Sequence, residues 1–298
     1  MVKRIRQLGR LFLQAGLLLL AVITVEYALF LISPAIREDI AAYIQRHVPA
    51  LAPGGEPGSW PILVYWKFYF YWLGELFFKG SAGYQANGEN LIYLAGAPFR
   101  QTLMLALWGL ALATGLASLL VFLRQSWPDK RPVSWLVQSF EALSGVHYII
   151  FCYFVLYGLN LRRPPLAILI LIIALGNGVL LDIVHLLETE INEIRHTRYY
   201  QGIRARGANR FRHLARPVGL CLTRIVYTKF PVVLGGTFIV EFIMNVWALG
   251  LETIQAVVKH DQLKLLVITV LITIVVWVST VLNYLAKWKL DPRPVVRL

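Results

Sequence analysis

Four carboxylic acids stand inside long apolar runs of this sequence: Glu26, Glu141, Asp182 and Glu241. A charge at the centre of a bilayer costs about 2.5–3.5 kcal/mol on insertion scales, so each acid needs a partner, a water-filled cavity or a proton. Acids so placed can relay protons, bind cations or line a solute path. Glu241 follows the pair Gly235 and Gly236, where a second helix can approach closely, and its place in the run 230–251 puts it mid-span, facing protein or a pathway. Glu241, Gly235 and Gly236 are therefore the candidate translocation path, weighed against an intersubunit hydrogen bond. Asp182 and His185 fall near the end of their run, and Glu141 and His147 stand six positions apart, off a shared helical face. No metal site is read from these histidines.

A second chemistry lies in the polar segment Glu188 to Pro217, which holds seven arginines. Gly202, Gly207 and Asn209 fall at breaks between helix formers, so the segment reads as helix, turn, helix. Gly202, Ala205, Gly207 and Ala208 would let another backbone approach. Arg204, Arg206, Arg210 and Arg212 offer forked donors for carboxylates. Such a surface fits a protein partner, and a basic loop meeting anionic lipid is the plain alternative.

The elements that position these groups follow from composition. Of 298 residues, 58% are hydrophobic and 15% charged, which excludes an ordinary soluble domain. Six apolar runs approach the roughly 20 residues a crossing needs: 11–36, 101–123, 133–157, 164–187, 230–251 and 265–286. The net charge of +13 reads as topology rather than as a nucleic-acid surface. With an N-terminus in the cytoplasm, segments 1–10, 124–132, 188–216 and 287–298 carry 18 of the 29 Lys and Arg, which is the positive-inside bias. A crossing by the aromatic stretch Trp60 to Phe78 would reverse that bias, so this stretch is placed on the outer surface as an interfacial helix. The resulting organisation is an anchor helix in 1–36, an extracytoplasmic loop in 37–98, a five-helix core in 99–287 and a tail in 288–298. The first apolar run exceeds the core of a cleaved signal, which supports an uncleaved anchor. Cys152 and Cys221 form neither a disulfide framework nor a thiolate metal site.

The stretch Tyr199, Tyr200, Gln201, Gly202, Ile203, Arg204, Ala205, Arg206 and Gly207 resembles the coupling loop of ABC importer permeases in the dipeptide, oligopeptide and nickel branch. Three further stretches are similar to that branch: Leu234 to Gly250 with its Gly-Gly, Glu, Trp and Leu-Gly pattern, Leu290 to Arg293 near the C-terminus, and Trp72 to Gly83 before the second span. The chain departs from the branch in lacking its Pro-Gly-Asp element, in Pro217 where a histidine is usual, and in Gly202 and Ile203 where the motif has alanines. The resemblance implies an all-α membrane protein with six transmembrane helices in the type I ABC importer (MetI-like) permease fold, set in a bacterial inner membrane with both termini cytoplasmic. It further implies that Tyr199 to Asn209 dock on a separate ATPase. The implied partners are a homologous second permease, two cytoplasmic ATPase subunits and an extracytoplasmic binding protein, in the lipid bilayer and without nucleic acid. The implied cargo is a peptide or nickel-type solute.

No enzyme or cofactor is expected in this chain itself, ATP and magnesium being bound by the ATPase. The GxxxxGK[ST] phosphate cradle is absent, and Lys79-Gly80-Ser81 lacks the upstream glycine. An ion-coupled secondary transporter using the intramembrane acids is the alternative, but no internal duplication accompanies it. A membrane-embedded enzyme would need clustered metal ligands or a GxSxG nucleophile, and neither is present.

Overall fold

The computed structural model describes residues 2–54, 60–84, 89–127, 131–161, 164–205 and 210–290. Among them every regular element is helical, and the only strand-like pairing is an isolated bridge between Tyr84 and Asn90. Five helical stretches are long and apolar enough to cross a membrane, or six when one bent pair counts as a single span. The backbone divides into two compact units, residues 1–101 with 247–277, and residues 102–246 with 278–298.

The first unit is organised by aromatic rings. Helix α1 (Val2–Phe30) ends at a turn, after which Pro34 opens α2 (Pro34–His47), where its missing N–H costs nothing. Helix α3 (Ile62–Gly74) has 13 residues, about 20 Å at 1.5 Å per residue, so it is too short to cross alone. Its face of Tyr65, Phe68, Tyr69 and Trp72 is buried. These rings pack against Ile23 and Tyr27 of α1, Ile40 and Ile44 of α2, and Leu266, Val267 and Val270 further along the chain. One face of the helix is thus spent on packing within the protein, while Phe70 and Tyr71 on the other remain exposed.

Three polar tips among these rings find partners away from water. The Tyr27 hydroxyl donates to the Tyr65 carbonyl at 2.9 Å, Trp72 Nε1 donates to the Ala82 carbonyl at 2.8 Å, and the Thr24 and Tyr69 hydroxyls lie 2.6 Å apart. A π-helical turn over Glu75–Lys79 then stops at Gly80, whose φ of 64° is a left-handed conformation that favours glycine.

Helix α4 (Leu91–Ser126) starts ten residues before the expected span because Asn90 caps it, its Oδ1 accepting the Ile92 N–H at 3.0 Å. Helices α11 (Leu249–Val258) and α12 (Gln262–Leu290) are joined by a short turn that Asp261 caps, its Oδ1 accepting the Lys264 N–H at 3.1 Å. Lys264 pairs with Glu252, which also accepts from Trp247 Nε1 at 2.7 Å. Thr269 of α12 donates to Glu26 at 3.0 Å, so the first of the four intramembrane acids has a partner within the chain.

The second unit differs most from the sequence reading. The expected span 133–157 is two helices, α5 (Arg131–Ser144) and α6 (Tyr148–Tyr153, continued by a π turn to Gly158), bent by 92°. His147 makes the break, taking an extended conformation and capping α6 with its ring nitrogen on the Ile149 N–H. The expected span 164–187 is α7 (Leu166–Leu175) and α8 (Val179–His196), parted at Gly176–Gly178, where Asn177 has φ 58° and Gly178 has φ 75°. Helix α10 (Arg210–Ile243) replaces the expected span 230–251. It begins 20 residues earlier and stops eight residues sooner, in a turn where Asn245 has φ 50°.

Trp72 tests the aromatic packing. Trp72→Phe leaves the Ala82 carbonyl without its donor and opens space beside it, so it should destabilise the protein by about 1–3 kcal/mol. Trp135→Phe alters a ring that is 71% exposed, and its effect should stay within about 0.5 kcal/mol. Thermal unfolding of the purified variants in detergent reads the difference.

Candidate functional site

The arginine-rich segment folds as a short helix between two long ones. Helix α8 runs on to His196, and Thr197 turns the chain with extended φ/ψ. Thr197 Oγ1 donates to the Ile194 carbonyl at 2.6 Å and stands 3.3 Å from the Tyr200 N–H, which it accepts. Helix α9 (Arg198–Ala205) follows. Gly202 lies inside α9 rather than at a break, because one glycine costs only about 1 kcal/mol in a helix. Tyr199, Ile203 and Arg204 also belong to α9 by backbone, while Tyr200 is half-buried and Gln201, Gly202 and Ala205 are exposed. A Cβ added at Gly202 would meet nothing within 4 Å. Arg206, Gly207, Ala208 and Asn209 lie outside the described residues.

The two long helices joined through this segment are tied together. Asp182 on α8 pairs with Lys229 on α10 at 2.6 Å, and Glu190 pairs with Arg224 at 3.0 Å. Position rises along α8 as it falls along α10, so the helices run antiparallel. Arg124 at the end of α4 reaches Glu188 of α8 at 3.1 Å and Glu141 of α5 at 3.7 Å, and Arg195 donates to Gln125 at 2.9 Å. Two acids that look isolated in sequence, Glu141 and Asp182, are therefore paired. Single exposed pairs are worth about 0–1 kcal/mol each, so their weight lies in fixing geometry.

The expected pathway residues separate. Gly236 is buried and holds the ring of Tyr148: a Cβ there would lie 2.3 Å from Cε2 and 2.7 Å from the hydroxyl. The other edge of the same ring covers Gly176, where a Cβ would lie 2.3 Å from Cδ1. Tyr148 is thus clasped between the α7–α8 break and α10. Gly235 is exposed with open space around it. Glu241 is fully buried in the last turn of α10 instead of mid-span, and its carbonyl accepts the Val246 N–H at 2.9 Å. The structure does not bring Glu241, Gly235 and Gly236 to one surface. The Tyr148 clasp left no sequence signal beyond Gly236 itself, because its three parts stand 28 and 60 residues apart.

Among the described residues no group of three or more His, Cys, Asp or Glu is placed to hold a metal. Compared with known proteins, the chain matches no family model and no curated protein sequence.

The two glycines give opposite expectations. Gly236→Ala drives a methyl into the Tyr148 ring and should destabilise by about 1–3 kcal/mol, whereas Gly235→Ala meets open space and should gain up to about 1 kcal/mol of helix propensity. Melting curves of the two purified variants against the parent decide it, and equal effects would remove the clasp.

Proposed function

We propose that this chain is the transmembrane permease subunit of an ATP-driven ABC importer, forming half of a solute path and coupling to a separate ATPase. The observation that carries the reading is α9: a short helix with an exposed glycine face, strung between two long helices that ion pairs hold as one antiparallel unit. A force on α9 is delivered to both arms together, since they cannot slide without breaking the Asp182–Lys229 and Glu190–Arg224 pairs. The likeness of Tyr199 to Gly207, Leu234 to Gly250 and Leu290 to Arg293 to the peptide and nickel branch supports the same reading.

In this proposal the core is a type I, MetI-like permease with both termini in the cytoplasm of a bacterial inner membrane. The partners are a second permease, two ATPase subunits that bind ATP and magnesium, and an outer binding protein, and the cargo is a peptide or nickel-type solute. The Asp182–Lys229 pair within two apolar helices favours a second reading, an ion-coupled secondary transporter. Uptake that persists on an ion gradient without any ATPase subunit would select it.

Gly202→Trp separates docking from folding, because a Cβ at this exposed position meets nothing within 4 Å among the described residues. The variant should insert and melt like the parent yet lose copurification with the ATPase and coupled uptake by tenfold or more. Retained coupling with a tryptophan at 202 would defeat the docking role.

A further inference from the structure

Apolar helices can be interrupted at membrane depth only where protein covers the freed backbone or where the break lines a water-filled cavity. The α7–α8 break meets the first condition on one side alone. Inward, Gly176 lies under the Tyr148 ring and the Asn177 N–H donates to the Val146 carbonyl at 2.9 Å. Outward, the Asn177 side chain is exposed. Asn177 stands eleven residues after Leu166, where the apolar stretch begins, or about 17 Å along a helix, which is near the middle of a core about 30 Å thick.

The same stretch carries further exposed polar groups. Asp182 keeps 53% of its side chain exposed while it holds Lys229, which is only 16% exposed. One turn further on His185 is exposed, and beyond it Thr189. On the opposite side of α8, Leu180, Ile183, Val184 and Leu187 are buried in the unit. Asn177 at the break and Asp182, His185 and Thr189 on α8 are thus exposed together with Leu186, a largely polar side that acyl chains alone would not select.

We propose that Asn177, Asp182 and His185 line a water-filled path that runs from the α7–α8 break towards the end of the helix pair bearing α9. Its donors and acceptors suit a polar, hydrogen-bonding solute. Glu241, which is buried, does not share this exposed side. It deepens the permease reading by locating the path, and it rests on that reading only for the identity of what passes.

The test uses the chain in membrane vesicles from producing cells, sealed in either orientation, with Cys152→Ala and Cys221→Ala as background. Single cysteines replace Asn177, Asp182, His185 and Leu171, the last being 45% exposed on apolar α7. A membrane-impermeant cationic methanethiosulfonate should modify Asn177→Cys and Asp182→Cys at least tenfold faster than Leu171→Cys, from one side of the vesicle. Equal, slow rates at 171, 177 and 182 would overturn the path, as would oxidative cross-linking of Asn177→Cys between two copies, which would make this face a subunit contact. Thermal unfolding of each variant against the cysteine-free background reports folding. The rates are read on this chain without an ATPase subunit, so a failed path and a failed importer assignment are distinguished.

Discussion

A helix that stops inside an apolar medium frees N–H and C=O groups that water cannot reach, and the second unit depends on how it meets that constraint. It places two breaks side by side so that each supplies the other. The Asn177 N–H at one break donates to Val146 at the other, and the Leu181 N–H near the start of α8 donates to Ser144 Oγ at the end of α5. Tyr148, the first residue after one break, lays its ring across Gly176 in the other and across Gly236 of α10. The glycines are needed because any side chain there would occupy the ring's place. Helices α5 to α8 and α10 are thereby positioned by one junction.

Much of the fold was legible because hydrophobic length is a strong signal. The first, second and sixth apolar runs each correspond to a helix, and their positions follow from counting. The breaks were hidden for a physical reason. Residues 145–147 and 176–178 interrupt their helices for only three positions each, too briefly to end an apolar run, so a reading by apolar length passes over them. Gly176, Asn177 and Gly178 do carry a local signal, since glycine and asparagine tolerate the left-handed conformations found there. That signal competes with apolar runs on both sides and loses. The early start of α10 was missed for the converse reason. Arg224 and Lys229 precede the apolar run and so fall outside a span counted by hydrophobic length, but acids on α8 pair with both.

The candidate site was legible in type and illegible in grouping. The sequence marks Glu26, Glu141 and Asp182 as groups needing company, and each has it: Thr269, Arg124 and Lys229. Those companions are remote along the chain, and nothing local in composition selects them. The aromatic stretch 60–78 shows the same limit. Its rings could serve a lipid interface or an interior, and only the neighbours Ile23, Tyr27, Ile40 and Ile44 decide for the interior on one face.

Helix α8 joins these threads. One end leads through Thr197 into α9, and the other begins at the break clasped by Tyr148. Between them its acids hold α10 and, through Arg124, the ends of α4 and α5. Traced back from α9, helix α8 is continuous as far as Val179, and the first non-helical backbone is at Asn177 and Gly178, whose φ values are 58° and 75°. In the proposed path, the exposed polar side of that break is where a change in helix direction would alter the surface facing the solute. In the proposed permease, a continuous helix that ends in such a break is the arrangement by which a push at one end alters the opening at the other.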